Sequence, residues 1–251
     1  MVVIPALGLA LLCLGMVAAA ALVYRLAHLG SPTVVPAAAG RAVLQLSVIA
    51  LILAAALRHA WSAVLVLLVM FGAAAFTAAR RAEAGRSGTW LALAIAAGIA
   101  AVLPATLLSG VIPIRGVTLV AIGGILLGGT MTATSLAARR GLDAIAQRRG
   151  EVEAALSLGF GDRAARLLVL DNTAIDALIP GVDQARTVGL VTLPGAFIGV
   201  LLTSGSAVQA GAVQILVLIG LMLSQACAVA VTVELVARTR VHRSMPPQRS
   251  R

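Results

Sequence analysis

The chain has 251 residues, 61% of them apolar and only 11% charged, and a formal net charge of +10. A soluble domain carries about 25% charged residues, so too little polar surface is present to cover a water-soluble globule. All nineteen basic residues are Arg, and they lie between apolar runs rather than on one face, which points away from nucleic acid and toward a lipid bilayer.

Crossing about 30 Å of hydrocarbon takes about 20 apolar residues in a helix. The charge-free stretches are Met1–Tyr24, Ala42–Leu57, His59–Ala79, Ser87–Ile114, Gly116–Ala138 and Thr187–Val233. The first has no basic residues ahead of it and is longer than the apolar core of a signal peptide, so it reads as a retained span. The second is short and must borrow flanking positions. The last is long enough for two spans with a turn near Ser204–Gly211. The expectation is an all-α polytopic membrane helix bundle with about seven spans. Residues 1–237 read as one transmembrane domain and 238–251 as a basic tail, with no role beyond anchoring the topology and touching anionic lipid.

Seven spans put seventeen arginines on one side and only Arg58 and Arg115 on the other. That asymmetry places the N-terminus outside and the C-terminus in the cytoplasm of a plasma-membrane protein. Cys13 and Cys227 fall inside apolar runs and read as buried, inert thiols. The three histidines, His28, His59 and His242, lie at span ends and do not cluster.

The segment from Arg139 to Arg186 is the one long hydrophilic stretch, with seven arginines and seven acids. Gly141 is expected to end the fifth span. Leu142–Leu158 then reads as a helix broken by Gly159 and Gly161. Asp162–Ile179 reads as a second helix, capped by Asp162 and stopped by Pro180 and Gly181. Such a cytoplasmic pair is either a surface loop or a docking element that passes a push into the spans beside it.

Within it, Glu153-Ala154-Ala155-Leu156-Ser157-Leu158-Gly159 resembles the EAA-type coupling motif of ABC transporter permeases. A longer run is similar to the FetB-like family of ABC permeases, associated with iron export in bacteria and aluminium tolerance in plants. It comprises Gly128-Gly129-Thr130-Met131-Thr132-Ala133-Thr134-Ser135-Leu136, then Glu153–Gly159, then Val188-Gly189-Leu190-Val191-Thr192-Leu193-Pro194-Gly195, then Gln214. Upstream, Arg41 and Gln45 match an R-x-x-x-Q pair. The family's usual Gly-Asn is Gly128-Gly129 here. Its Pro-Gly-Met-Met-x-Gly-Gln-Ile is Pro194-Gly195-Ala196-Phe197-Ile198-Gly199-Val200-Leu201, so two thioethers and an amide suited to a metal path are missing.

The resemblance implies a permease subunit, a homodimer in the bilayer, exporting an iron-like metal ion or another small solute. A separate ATP-binding subunit carrying ATP and Mg would dock on Glu151, Glu153, Ala154, Ala155 and Gly159. Arg41, Gln45, Thr130, Met131, Thr132, Thr134, Ser135, Thr192, Pro194, Gly195 and Gln214 would line the pathway or hinge.

Read from the residues alone, each of these has a plainer use. Span hydroxyls often bond back to their own helix. Gly124-xxx-Gly128 and Gly195-xxx-Gly199 suit close helix packing. Glu234 sits near a span end, where it can snorkel. Gln45 and Gln214 either line a path or bond across helices, and Pro194-Gly195 interrupts the sixth span as a hinge or path-lining break. No phosphate-binding loop of the G-x-x-x-x-G-K-[ST] type is present, so ATP hydrolysis is expected on another chain and none on this one. The alternatives are an ATPase-independent secondary transporter, which needs a coupling acid within the membrane, a carrier of a non-metal solute, and an intramembrane enzyme, which needs a catalytic set. The sequence displays neither the coupling acid nor the catalytic set.

Overall fold

A computed structural model describes residues 6–56, 60–110 and 115–243. All regular elements among them are helical, apart from one isolated bridge between Val188 and Thr192. The chain divides into two units, Met1–Arg58 and His59–Arg251.

The first unit holds α1 (Ala6–Leu26) and α2 (Val34–Ala56). Leu7, Leu11 and Leu14 of α1 are all more than half exposed, as befits a helix that is apolar all round and meets lipid rather than water. Cys13 is exposed on α1 and Cys227 is half-buried on the last helix, so neither is the fully buried thiol expected, although both are free. The helix α2 begins at Val34, upstream of its charge-free stretch, so it does take in flanking residues.

The second unit contains α3 (Ala60–Arg81), a short 3-10 helix (Gly85–Trp90), α4 (Leu91–Leu108), α5 (Gly116–Gln147), α6 (Arg149–Ser157), α7 (Asp162–Thr187), α8 (Gly195–Ser204) and α9 (Ala207–Ala237). Close approaches fix the helix directions. Gly129 of α5 lies against Leu221 and Gln225 of α9, and Gly141 against Val236, so α5 and α9 run parallel. Gly98 of α4 meets Thr130 and Ser224, while Gly220 meets Val102, so α4 runs against both. Arg163 binds Glu234 while Gly181 meets Gln225, so α7 also runs against α9. After α9, Arg243 reaches Asp143 of α5 at 2.7 Å and Glu83, just past α3, at 3.6 Å. The C-terminal ends of α3, α5 and α9 therefore share one end of the unit, and Arg80, Arg81, Arg139, Arg140, Arg238 and Arg240 make that end basic.

Among the described residues five helices are long and apolar enough to cross a membrane. The expected pair of spans within Thr187–Val233 is not what forms. The turn does fall in the expected window, at Gly205–Ser206, with Gly205 left-handed at φ 67°. But α8 has only 10 residues, about 15 Å at 1.5 Å per residue, too short to span alone. Nor is the segment before it a pair of short helices. Pro180 and Gly181 do not stop α7, which runs 26 residues to Thr187. Proline removes one backbone donor, but packing against neighbours holds such a helix together: Ala174, Ala177 and Leu178 pack with Ala133, Ala137 and Val229, and Arg140 pairs with Asp176 at 3.1 Å.

Gly141 likewise does not end α5; its bare Cα lets Leu170 and Val236 close in. The helix continues to Gln147 and breaks at Arg148, whose φ of −106° and ψ of 31° leave the helical region. Asp162 is the first residue of α7 and Gly161 its cap, with no side-chain capping bond.

A tight turn makes α8 antiparallel to α9. Thr187 lies six residues past the Gly181–Gln225 contact, and Gly195 lies nine residues back from Ser204. At equal rise both fall beside about Leu216–Ile219 of α9. The second half of α7 and the whole of α8 thus lie in succession along α9, interrupted at residues 188–194.

Candidate functional site

Two places gather the residues singled out in the sequence. The first is α6. Val152 and Ala155, three apart, are buried with Ala144 of α5 and Ala165 and Val169 of α7. Arg148 fastens the same corner: its Nε donates to Glu151 Oε1 at 2.8 Å, its Nη2 to Glu151 Oε2, and its Nη1 to the Val169 carbonyl at 3.2 Å. This pairing raises the guanidinium pKa and holds the Glu151 carboxyl below its ordinary value of 4.5. Arg149 Nε donates to Glu153 Oε1 at 2.8 Å, both side chains being more than half exposed.

The helix ends on Gly159, left-handed at φ 89°. The Phe160 N–H donates to the Ala155 carbonyl at 3.1 Å and the Gly159 N–H to the Leu156 carbonyl at 2.9 Å, the paired bonds of a glycine helix stop. What is left facing outward is Glu153, Ala154, Leu156, Ser157, Leu158 and Phe160, with Leu158 80% exposed. Of the five residues expected to dock a partner, Ala155 therefore faces α7, Glu151 is held by Arg148, and Glu153, Ala154 and Gly159 are presented.

The second place is a polar seam where α4, α5, α7 and α9 meet. Thr130 Oγ1 and Ser224 Oγ lie 2.6 Å apart, both fully buried. A Cβ on Gly98 would come within 2.4 Å of the Ser224 carbonyl, so only glycine admits α4 here. The next residue on α9, Gln225, is wedged between Gly129 and Gly181: a Cβ on Gly181 would sit 1.9 Å from its Oε1. Away from the Thr130–Ser224 pair, Thr134 Oγ1 one turn further along α5 and Gln214 Oε1 nearly three turns before Ser224 on α9 are buried without a hydrogen-bond partner, each a group with a cost to being left unpaired.

The remaining candidates spread out. Thr132 bonds back to the Gly128 carbonyl at 2.9 Å and Ser135 to the Thr132 carbonyl at 2.9 Å. Met131 packs at the edge of the core cluster that holds Leu127 and Ala138. Arg41 and Gln45 lie one turn apart, exposed, in the unit Met1–Arg58. Thr192 closes the broken segment, its carbonyl accepting the Gly189 N–H at 2.9 Å, and Pro194 and Gly195 start α8. Gln214 does not open the last helix; it lies two turns inside α9.

Close-packing glycines also differ from the expected pairs. Gly124 meets Met70, but Gly128, Gly195 and Gly199 have nothing within 4 Å, and the tight approaches are at Gly88, Gly98, Gly123, Gly129, Gly181 and Gly220. Ser224, Gln225 and Gly98 were not singled out in the sequence, and Gly181 was singled out only as a helix stop. The signal was there: an adjacent Ser-Gln pair deep in a 47-residue charge-free run needs buried partners.

Glu234 is clamped by Arg163, whose Nε and Nη2 each donate at 2.7 Å, and by Arg238. It ties the start of α7 to the end of α9. Residues 238–243 are not a loose tail: Val241 is buried, Arg240 stacks 5.3 Å from the Trp90 ring centre, and the Ser87 hydroxyl donates to the His242 carbonyl and accepts from the His242 N–H. Residues 244–251 lie outside the described set. Among the described residues no three His, Cys, Asp or Glu side chains gather as a metal centre.

Apolar helices of span length and a sparse buried polar seam define a multi-pass α-helical membrane protein. Residues 7–241 match the model of an uncharacterised protein family, UPF0014. The chain belongs to that family. It is 33% identical over 188 residues to the UPF0014 membrane protein STAR2 of Oryza sativa subsp. japonica, covering 74% of this chain and 66% of the relative. It is 34% identical over 181 residues to the protein ALUMINUM SENSITIVE 3 of Arabidopsis thaliana, covering 71% and 66%. It is 30% identical over 183 residues to the "Probable iron export permease protein FetB" of Escherichia coli (strain K12), covering 71% and 70%. The matched region thus spans just under two thirds of the length of the two plant relatives. No solved structure matches the chain.

Proposed function

We propose that this chain is the membrane-spanning permease subunit of an ATP-driven transporter, with the ATPase on a separate polypeptide that docks at α6. The observation that carries this reading is the outward face of α6. A nine-residue helix is pinned on one side, stopped by a left-handed glycine, and presents an acid, a small residue and three large apolar side chains at the basic end of the bundle. The arginine bias makes that end cytoplasmic, where a nucleotide-hydrolysing partner would be. A push on α6 has a rigid route inward, because Val152 and Ala155 bear on α7, and α7 leads to Gln225 and on to the broken pass.

The cargo we infer is a small cation of the iron class, moved outward by a homodimer in the plasma membrane. Its support is the name of the Escherichia coli relative. The buried Thr134 and Gln214 oxygens are neutral acceptors on the pathway side of this reading, suited to a partly hydrated cation and leaving no fixed charge to trap it.

The test is co-purification of the full chain with its ATP-binding partner, followed by nucleotide-driven transport of iron in vesicles. Glu153→Arg and Gly159→Trp are expected to abolish partner retention and transport while membrane insertion is unchanged. Full transport in vesicles that lack any nucleotide-hydrolysing companion would overturn the reading.

A further inference from the structure

At the basic end of the second unit the outer surface of α3 and α4 is cut by a groove of about 600 Å³, within the size range of small-molecule sites. Ala75 and Ala79 of α3 and Ala92 of α4 line it with methyl groups alone, and Phe76 and Arg80 line it from α3 as well. The Arg80 guanidinium lies 5.9 Å from the centre of the Phe76 ring. The groove is graded along the helix axis. Toward mid-helix it is apolar, at Ala75 and Phe76; at the end of α3 it carries Arg80, with Arg81 and Arg86 close in sequence.

Charge at the mouth is not balanced from within. Glu83 lines the groove too, but it already faces Arg243 at 3.6 Å. Among the described residues no acid pairs with Arg80, Arg81 or Arg86. Trp90, 39% exposed and stacked with Arg240, marks the level of the membrane–water interface, where such rings collect. An apolar slot reaching into the hydrocarbon from a cationic mouth at that level has the polarity profile of a phospholipid, read in the same order.

We infer that this groove is a binding site for an anionic phospholipid, with an acyl chain along Ala75, Ala79 and Ala92 and the phosphate beside Arg80. Basic pockets between transmembrane helices on one leaflet are recognisable lipid sites, and each arginine near an anionic headgroup contributes about 1 kcal/mol, or about fivefold in affinity.

The experiment is native mass spectrometry of the full-length chain, delipidated in detergent and titrated separately with phosphatidylglycerol, phosphatidylcholine and inorganic phosphate. Wild type is expected to retain phosphatidylglycerol over phosphatidylcholine. Arg80→Gln should cut that retention about fivefold, and Arg115→Gln, at the opposite end, should leave it unchanged. Ala92→Phe fills the slot and should abolish retention. If that variant does not fold, Phe76→Ala, at a side chain 65% exposed, should weaken it instead. Equal retention of the two lipids would overturn the inference. So would displacement of phosphatidylglycerol by an equal concentration of inorganic phosphate, which would mark the mouth as a site for free anion. A lipid-free wild type that runs as a dimer and is split by Ala92→Phe would assign the groove to a second copy, again overturning it.

Discussion

At the scale of single residues the polar seam depends on what is missing as much as on what is present. Gln225 could not lie where it does if Gly181 had a Cβ, because that carbon would be 1.9 Å from Oε1. The obstructing atom is the end of a flexible side chain, so the conflict is pairwise. Gly181→Ala is expected to destabilise the protein by about 1–3 kcal/mol, the usual cost of forcing an extra carbon into a packed site. Gln225→Ala should cost less, and the double variant should recover most of the Gly181→Ala loss. Thermal unfolding in detergent of all four proteins measures the coupling. Purely additive losses would mean that Gly181 is needed for its backbone freedom beside Pro180 and not for the room it gives Gln225. Gly98 offers a contrast: a Cβ there meets the Ser224 carbonyl, part of the α9 backbone, so no side-chain replacement at 224 should rescue Gly98→Ala.

At the scale of elements, α6 behaves as a small helix held by one corner. The Arg148 bridge to Glu151 and to the Val169 carbonyl joins the end of α5, the start of α6 and the middle of α7. The pairing holds the Glu151 carboxyl below its ordinary value of 4.5. The stabilisation is therefore fully present above 4.5, declines progressively as pH falls below it, and is gone once pH has fallen through the lower folded value. Limited digestion with an acid protease at the exposed α6–α7 turn reads this out. Cutting of the wild type should be flat above 4.5, rise as pH falls below it and level off once the folded carboxyl is protonated, whereas Glu151→Gln should cut faster throughout and show no such rise. No rise in the wild type below 4.5 would mean that the ion pair holds nothing.

The same elements show how far sequence reasoning reaches. Apolar run length found α1, α3, α4, α5 and α9, because a helix that must satisfy its own backbone in lipid announces itself by composition. The turn at Gly205–Ser206 lay in a window marked by small and polar residues, and Gly159 was legible as a stop because left-handed backbone favours glycine. Gly141 and Pro180 misled for one shared reason. Each is a breaker in a helix that stands alone, and each here lies in a helix gripped by neighbours, Gly141 by Leu170 and Val236 and Pro180 by the packing around Ala177 and Asp176. The polar members of the seam carried a signal but their grouping did not, because its glycines come from α4, α5 and α7, and no spacing rule links 98, 129 and 181.

At the scale of the whole second unit the unusual feature is a pass made of two unequal pieces. The α7 helix carries Asp171, Asp176, Asp183 and Arg186, too polar for a conventional span, yet the contacts of Gly181 with Gln225 carry its C-terminal half along the flank of α9 toward the level of Leu216. The interruption that follows, with Leu190 89% and Val191 78% exposed, would then lie at depth. Irregular backbone at such depth persists only where protein or an aqueous cavity covers it, and transporters place substrate sites at breaks of this kind. Single-cysteine labelling in a background lacking Cys13 and Cys227 decides whether this geometry holds in the bilayer. With a membrane-impermeant maleimide in sealed vesicles, Asp162→Cys should react from the basic face alone and Ser206→Cys from the opposite face alone. Leu190→Cys should resist the bulky reagent from both faces and react only with a small thiosulfonate that follows a water-filled path. Were Leu190→Cys to label from the basic face as fast as Asp162→Cys, α7 would end in bulk water. The 10 residues of α8 would then have to return Ser206 to the same side as Asp162, the α7–α8 pass would not exist, and α9 would enter the membrane from the basic face.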